Sequence, residues 1–339
     1  MKTKFASMLS LCLASLIASS AFAEQVNVYS SRKEALIKPL LDRFSEQTGI
    51  QVNLITGKDD ALISRLRKEG KKSPADVLVT ADVGRLYRAK AQQLLQPHGS
   101  DIVTQSVPAK YRDEDGQWLG LTMRARPIFY VKGKVDPAQL SSYENLADPK
   151  WQGQICIRSS SNIYNQSLIA SMLEAEGDQA TMAFAKGLVA NMARSPVGGD
   201  TDQLRAATAG VCNIAIANTY YFGRLANSDK PADQQVVNAL AVFWPNQDDR
   251  GTHVNISGIG ITQSARNKTE AVKLIEFMLT AESQAWYSQV NNEYPVVNDA
   301  APSATLQSWG QFKADAVNLS KLGERNQQAV RLMDKAGWK

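Results

Sequence analysis

The sequence predicts an α/β protein of two lobes, two α/β domains joined by a two-segment β hinge with a ligand cleft between them. Three observations carry this. Strand-like and helix-like hydrophobic periods alternate in two separate blocks, over residues 25–79 and again over residues 154–217. Two long extended runs, Leu119 to Val131 and His253 to Ile261, stand where the chain would pass between those blocks. The length of 339 residues, with 44% hydrophobic and 21% charged side chains, suits two domains of ordinary globular composition.

In chain order, Gln25-Val26-Asn27-Val28-Tyr29 alternates as a strand. Leu36, Ile37, Leu40, Leu41 and Phe44 recur at helical spacing, with Pro39 tolerable only in the first turn and Gly49 placed as a C-cap. A strand over Gln51 to Thr56 follows, then a helix with Leu62, Ile63 and Leu66 that Asp59 or Asp60 can cap. Val77-Leu78-Val79 is a short buried strand. Strand, helix, strand, helix, strand implies a parallel sheet with right-handed crossovers, and ligands sit beyond the carboxyl ends of such strands. Those ends are Tyr29 to Arg32, Thr56-Gly57 and Thr80-Ala81-Asp82.

Within the first extended run, Pro127 interrupts ladder donation. The second block then runs strand Gln154 to Ile157, a polar loop over Arg158 to Asn162, and helices over roughly 165–176 and 178–193. A helix capped by Asp200 reaches Ala209, and strand Cys212 to Ala217 follows. Strand Leu240 to Trp244 precedes the second extended run. The tail reads as helical over Thr269 to Met278, Glu282 to Val290, and 305 to the end. The first lobe is therefore expected over 24–123 plus 254–302, and the second over 124–253 plus 303–339.

Residues 1–23 read as a cleaved signal peptide. Lys2 and Lys4 precede a short apolar core around Leu9 to Ile17, and Ala21-Phe22-Ala23 is an A-x-A cleavage site. Cys12 follows Leu11, not the small residue of a lipoprotein site. No later stretch approaches the length of a membrane span, so the exported protein is not membrane-embedded. Without Lys2 and Lys4, the 38 basic side chains of the chain fall to 36, only slightly above the 33 acidic ones and too mild a balance to argue for nucleic acid. The dense basic run from Arg65 to Lys72 reads as a solvated helix end. An even pair of cysteines remains, Cys156 and Cys212, each opening a short apolar run; a disulfide is expected in an exported protein, two buried free thiols being the alternative.

Catalytic constellations are missing. Walker, dinucleotide-binding and nucleophile-elbow patterns do not occur, and the two histidines, His98 and His253, lie far apart without evident partners. Both read as structural. Two histidines also argue against a zinc centre of several imidazoles. Tyrosines in turns stand out instead. Tyr220 and Tyr221 follow the strand Cys212 to Ala217, and Tyr164 follows Gln154 to Ile157, so three phenols fall on the ligand side of the second lobe. Core or hinge packing is one reading of them. The other is metal chemistry: a hard trivalent cation drives the proton off a phenol, and three phenolates would cancel the charge of ferric iron.

The sequence resembles the periplasmic ferric-iron-binding proteins of bacterial ABC transporters, the Fbp/Fut/Hit/Idi group, over essentially the whole chain after residue 23. The resemblance rests on Val28-Tyr29-Ser30-Ser31-Arg32, Thr48 to Val52, Ser73-Pro74-Ala75-Asp76-Val77, Arg124-Ala125-Arg126, Asp148 to Gly153, Ser159 to Leu168, and Asn218-Thr219-Tyr220-Tyr221. It implies the two-lobed periplasmic-binding-protein fold, with Tyr164, Tyr220 and Tyr221 as ferric ligands and no reaction catalysed. The family's arginine that neighbours the metal or an anion matches Arg124. The first loop departs, since Lys33-Glu34 stand where many members place His or His-Tyr, and Ala81 beside Asp82 stands where some place glutamate. That fits the subgroup completing the coordination sphere with carbonate or bicarbonate, for which Arg124 and Arg32 would supply charge-assisted donors. Should no anion take part, Asp82 or Glu34 would have to complete it.

The expectation that follows is a monomeric solute-binding protein that captures ferric iron in the periplasm. It would deliver the ion to an inner-membrane permease and its ATPase, the first lobe closing over the second by a hinge motion. The competing readings are a binding protein of the same fold for a phosphonate, thiamine or polyamine, and a secreted hydrolase. The first gives no reason for three phenols at strand ends; the second lacks a nucleophile–base pair.

Overall fold

The computed structural model describes residues 24–339, so the expected signal segment at 1–23 lies outside the described residues. The chain opens with β1 (Gln25–Ser30), α1 (Lys38–Thr48), β2 (Gln51–Thr56), α2 (Asp59–Glu69), β3 (Val77–Ala81), α3 (Val83–Ala91), β4 (Leu95–Gln96), α4 (Asp101–Ser106) and β5 (Leu119–Ala125). It continues with β6 (Ile128–Val131), β7 (Ile155–Cys156), α5 (Ile163–Ala190), α6 (Asp200–Thr208), β8 (Ile214–Ile216), α7 (Thr219–Ala226), α8 (Pro231–Ala239) and β9 (Leu240–Phe243). The last elements are β10 (Val254–Thr262), α9 (Lys268–Met278), α10 (Ala281–Asn291), α11 (Ala304–Gln307), α12 (Ser320–Glu324) and α13 (Asn326–Lys335).

Two sheets organise these elements. The first runs β2-β1-β3-β10-β4, with β5 also on β10. Its opening is parallel, Val28 standing opposite both Leu54 and Val77, and β10 joins antiparallel to β3. The second runs β7-β8-β6-β9, with β7 parallel to β8 and β6 antiparallel to its two neighbours. This is a two-lobed α/β architecture. Helices pack on the first sheet and leave Val26, Val28 to Ser30 of β1 and Val77 to Thr80 of β3 buried.

The single extended run expected over Leu119 to Val131 is two strands in two different sheets. Arg126 and Pro127 form the crossing between β5 and β6. Proline has no N–H and cannot continue a central ladder, so the strand breaks where the chain changes sheets. The return crossing, residues 244–253, lies beside it: the Arg126 N–H donates to the His253 carbonyl at 3.1 Å. Buried Tyr143 clamps both, its hydroxyl donating to the Arg126 carbonyl at 2.8 Å and accepting from the His253 N–H at 3.2 Å. His253 is held neutral, its pKa well below the ordinary value, by burial and by the charges of Arg250, Arg126 and Arg124. His98 accepts from the Ser100 N–H at 3.0 Å in a loop far from the crossings.

Three local expectations need correction. Neither Asp59 nor Asp60 caps α2; Lys58 occupies that position, and Asp59 instead accepts from the Thr80 hydroxyl and, at 3.0 Å, from the Ala81 N–H. Gly199, not Asp200, caps α6, because the Asp200 carboxylate is consumed by buried partners described below. The tail after 305 is not one helix: Gly310, at φ 79°, breaks it, and helix returns only at α12 and α13. Cys156 and Cys212 form a disulfide, buried, with Cα atoms 5.9 Å apart, tying β7 to the segment that enters β8. Among the described residues no helix is long and apolar enough to cross a membrane.

Candidate functional site

The phenols occupy helix starts. The chain leaves β7, turns through the serine loop, and enters α5 with Asn162 as cap, its Oδ1 accepting the Tyr164 N–H at 3.0 Å. It leaves β8 and enters α7 after Asn218, which puts Tyr220 and Tyr221 in that helix's first turn. Both helix N-termini therefore present their positive ends where phenolate charge would form. The Tyr220 hydroxyl donates to the Tyr164 hydroxyl at 3.0 Å, and the Tyr220 and Tyr221 rings lie 4.3 Å apart between centroids.

A buried bracket sets this spacing. Arg126, on the crossing peptide, donates to Asp200 at 2.9 Å, to Asn218 at 2.9 Å and to Asn165 at 2.7 Å. Asn165 adjoins Tyr164, and Asn218 starts the turn of the tyrosine pair. Asp200 also accepts the Asn218 N–H at 2.8 Å. Both charges are buried; Arg158 also lies 3.4 Å from Asp200, so removal of Asp200, which leaves the buried Arg126 without an anion, is the costlier loss at about 3–5 kcal/mol.

All three tyrosines line one cavity of about 190 Å³, together with Arg32, Arg124, Lys33, Asp59, Arg224, Ser257 and Glu293. The structure thus brings together every expected ligand and anion donor. It does not bring the two reserve carboxylates. Asp82 does not line that cavity; it is fully buried, at φ 78°, and accepts from the Gly84 N–H at 2.9 Å, Ser167 at 2.8 Å and Asn255 at 2.9 Å. Its bond to Ser167 on α5 holds the two lobes together. Glu34 is exposed outside the cavity. A larger depression of about 650 Å³ exists near Met123, Tyr294, Leu306 and Phe312, but no charged side chain lines it.

Arginines surround the phenols. The guanidinium carbons of Arg124 and Arg158 lie 5.6 and 5.5 Å from the Tyr164 ring centre, and that of Arg224 lies 4.9 and 5.6 Å from those of Tyr220 and Tyr221. Arg124 is buried, donates to Ser257 at 3.4 Å, and lies 3.7 Å from Asp82; its Nε and Nη2 have no hydrogen-bond partner. Such unmet donors suit a planar oxyanion. It is not paired with a surface carboxylate. In the same cavity, Glu293 is ion-paired to Arg32 and accepts from Thr122 at 2.7 Å and Ser257 at 3.1 Å.

Burial and the charges of its tyrosine neighbours decide protonation. Tyr164 is pushed up to about 12 by burial and then by Tyr221; Tyr220 is raised well above the usual phenol value by burial, Tyr164 and Tyr221. Without a cation these two phenols keep their protons. Burial alone would raise Glu293, but Arg32 and then Arg124 outweigh it and hold its carboxyl below the ordinary value. Among the described residues no three His, Cys, Asp or Glu side chains form a metal-sized group.

The sequence reading missed Arg158, Arg224 and Glu293. Arg224 stands three and four residues after the tyrosine pair, the spacing that stacks side chains on one helix face, so its proximity was readable. Arg158 lies two residues beyond the end of β7. Glu293 reaches the cavity only through the fold, from the residue after the αL cap Asn292 of α10, and no local signal marks it.

A cleft between two α/β lobes, with two adjacent crossings and a small polar cavity, is the architecture of a solute-binding protein. The comparisons place it further: residues 40–314 match the bacterial extracellular solute-binding proteins, and the chain belongs to that family. It is 48% identical to iron uptake protein A1 of Synechocystis sp. over 93% of this chain and 88% of that protein. It is 27% identical to the major ferric iron-binding protein of Neisseria meningitidis serogroup B, covering 97% and 98%. The Trichodesmium IdiA/FutA structure, in complex with iron and citrate, superposes with a TM-score of 0.91 at 48% identity, covering 93% of this chain and all of that one. The expected fold is thereby established.

Proposed function

We propose that this protein captures ferric iron in the periplasm and delivers it to the permease and ATPase of an inner-membrane ABC importer. It acts as a monomeric carrier and catalyses no reaction. The observation that carries the reading is the convergence of Tyr164, Tyr220 and Tyr221 on one small cavity, with two of the hydroxyls 3.0 Å apart. Relatives described as iron uptake and ferric iron-binding proteins support it.

In this reading the three phenols release their protons to solvent as the cation binds their oxygens, and their combined charge cancels that of ferric iron. Helix N-termini and the nearby guanidinium groups offset the clustering of negative charge that forms as the phenols ionise on iron binding. An octahedral ion needs further donors. Carbonate or bicarbonate fills them, held by the unmet N–H groups of Arg124 and by Arg32; Asp82 is already saturated and Glu34 lies outside the cavity. The lobes then close about the crossings at Arg126-Pro127 and 244–253.

Thermal melting of metal-free protein with ferric iron, 2-aminoethylphosphonate, thiamine or spermidine tests this. Ferric iron alone should raise the melting temperature strongly. A comparable rise with an organic solute and none with iron would overturn the reading.

A further inference from the structure

Resting on the ferric reading above, we infer that Glu293 is a resident counter-anion that sets how strongly, and at what charge, an external anion is recruited to the site. Glu293 lines the same cavity as the phenols and is 4% exposed. One oxygen takes both the Arg32 guanidinium and the Thr122 hydroxyl; the other takes the Ser257 hydroxyl, which also receives Arg124. Glu293 is thus held from three elements of the first sheet's side: Arg32 after β1, Thr122 on β5 and Ser257 on β10.

The arrangement has two consequences. Glu293 fixes Arg32 in place while leaving its Nε without a hydrogen-bond partner, and Arg124 likewise keeps Nε unpartnered while its Nη2 faces Asp82 at 3.7 Å. The guanidinium groups are therefore oriented but not saturated. Glu293 also subtracts one unit of charge from the wall that must attract the anion. At separations of several ångströms in a partly buried cavity, one unit charge changes the affinity of a monovalent ion by at least about tenfold, and of a divalent ion by about the square of that. The native carboxylate thus weakens oxyanion binding in the absence of iron, most of all for divalent ions. A cleft so tuned resists trapping by free phosphate.

The experiment follows the anion requirement of ferric binding, read from the visible iron–phenolate band, in buffer stripped of bicarbonate and then titrated with bicarbonate or inorganic phosphate. Glu293→Gln keeps the shape and removes the charge. It should lower the half-saturating bicarbonate concentration at least about tenfold and, at a pH where phosphate is divalent, the phosphate concentration about a hundredfold, with the band retained. Arg32→Met should shift both in the opposite direction. A merely structural role would weaken both variants alike, so weakening in both, or no change in either, overturns the inference. Should Glu293→Gln fail to fold, Arg32→Met decides: an unchanged anion requirement refutes it. The ferric reading fails separately, if the unaltered protein shows no iron-dependent band at all.

Discussion

Tyr164→Phe removes one oxygen and little else. The ring stays beneath Arg124 and Arg158, and the lost hydroxyl accepted one bond, from Tyr220 at 3.0 Å. A neutral hydrogen bond is worth about 1 kcal/mol, so the fold should persist. The effect on iron is larger. Burial and the Tyr221 charge push the Tyr164 phenol up to about 12, so stripping its proton at pH 7 costs about 7 kcal/mol at 1.36 kcal/mol per unit. The iron–oxygen bond must exceed that cost to form, and the variant loses the excess. Losing even an outer partner of a metal ligand costs 10- to 100-fold, so losing a direct ligand should cost more than about a hundredfold, or about 2.7 kcal/mol. Competition against a ferric chelator at fixed bicarbonate measures the affinity, and a pH-stat counts protons released per iron. The variant should release one proton fewer than the unaltered protein. Unchanged affinity together with an unchanged proton count would refute the reasoning.

Other expectations follow from the same geometry. Because Tyr164 and Tyr220 are raised above the usual phenol range and hold their protons without iron, lowering the pH favours the empty site; log affinity should fall by about one per pH unit for each phenol that ligates, and occupancy that stays constant from pH 7 to 4 in competition with a chelator would contradict phenolate ligation. Arg124→Ala should abolish the dependence of iron binding on bicarbonate together with much of the affinity, whereas Arg124→Lys, which keeps charge but loses the planar fork, should fall between; an unaltered protein indifferent to every small anion would remove the anion from the site. The Cys156–Cys212 bridge closes a separation of 56 residues. Thiol titration of denatured, unreduced protein should find no free thiol, and replacing both cysteines by alanine should lower stability by up to roughly 4 kcal/mol in chemical denaturation.

Much of this site was legible because it is built from strand ends. Tyr164 and the Tyr220-Tyr221 pair each follow an apolar run within a few residues, and strand ends in an α/β sheet face ligands. The paired cysteines were legible for a related reason, since each lies in or just before an apolar run, and the two runs proved to be the neighbouring strands β7 and β8. Carboxylates were the harder part. Asp59 and Asp200 have the residue type and position of helix caps, yet each serves partners more than 15 residues away, Thr80 with Ala81 and Arg126 with Asn218. Asp82 lies at the expected strand end but spends its oxygens on Gly84, Ser167 and Asn255. Glu293 reaches the cavity from 261 residues beyond Arg32 in sequence. Local spacing shows where a side chain starts, but the competition among buried donors that decides its use is settled by tertiary contacts. The break at Arg126-Pro127 was half visible: the proline signalled an interruption, while the change of sheet there required knowing that β6 pairs with β8 and β9.

The most direct measurement is the visible spectrum of metal-free protein titrated with ferric iron in the presence of bicarbonate, with metal content determined after removal of unbound iron. The account predicts a charge-transfer band that grows to a sharp end point at one iron per chain and is lost when Tyr164, Tyr220 and Tyr221 are all replaced by phenylalanine. A protein that retains no iron, or one that retains it without a band and equally well in the triple variant, would contradict it.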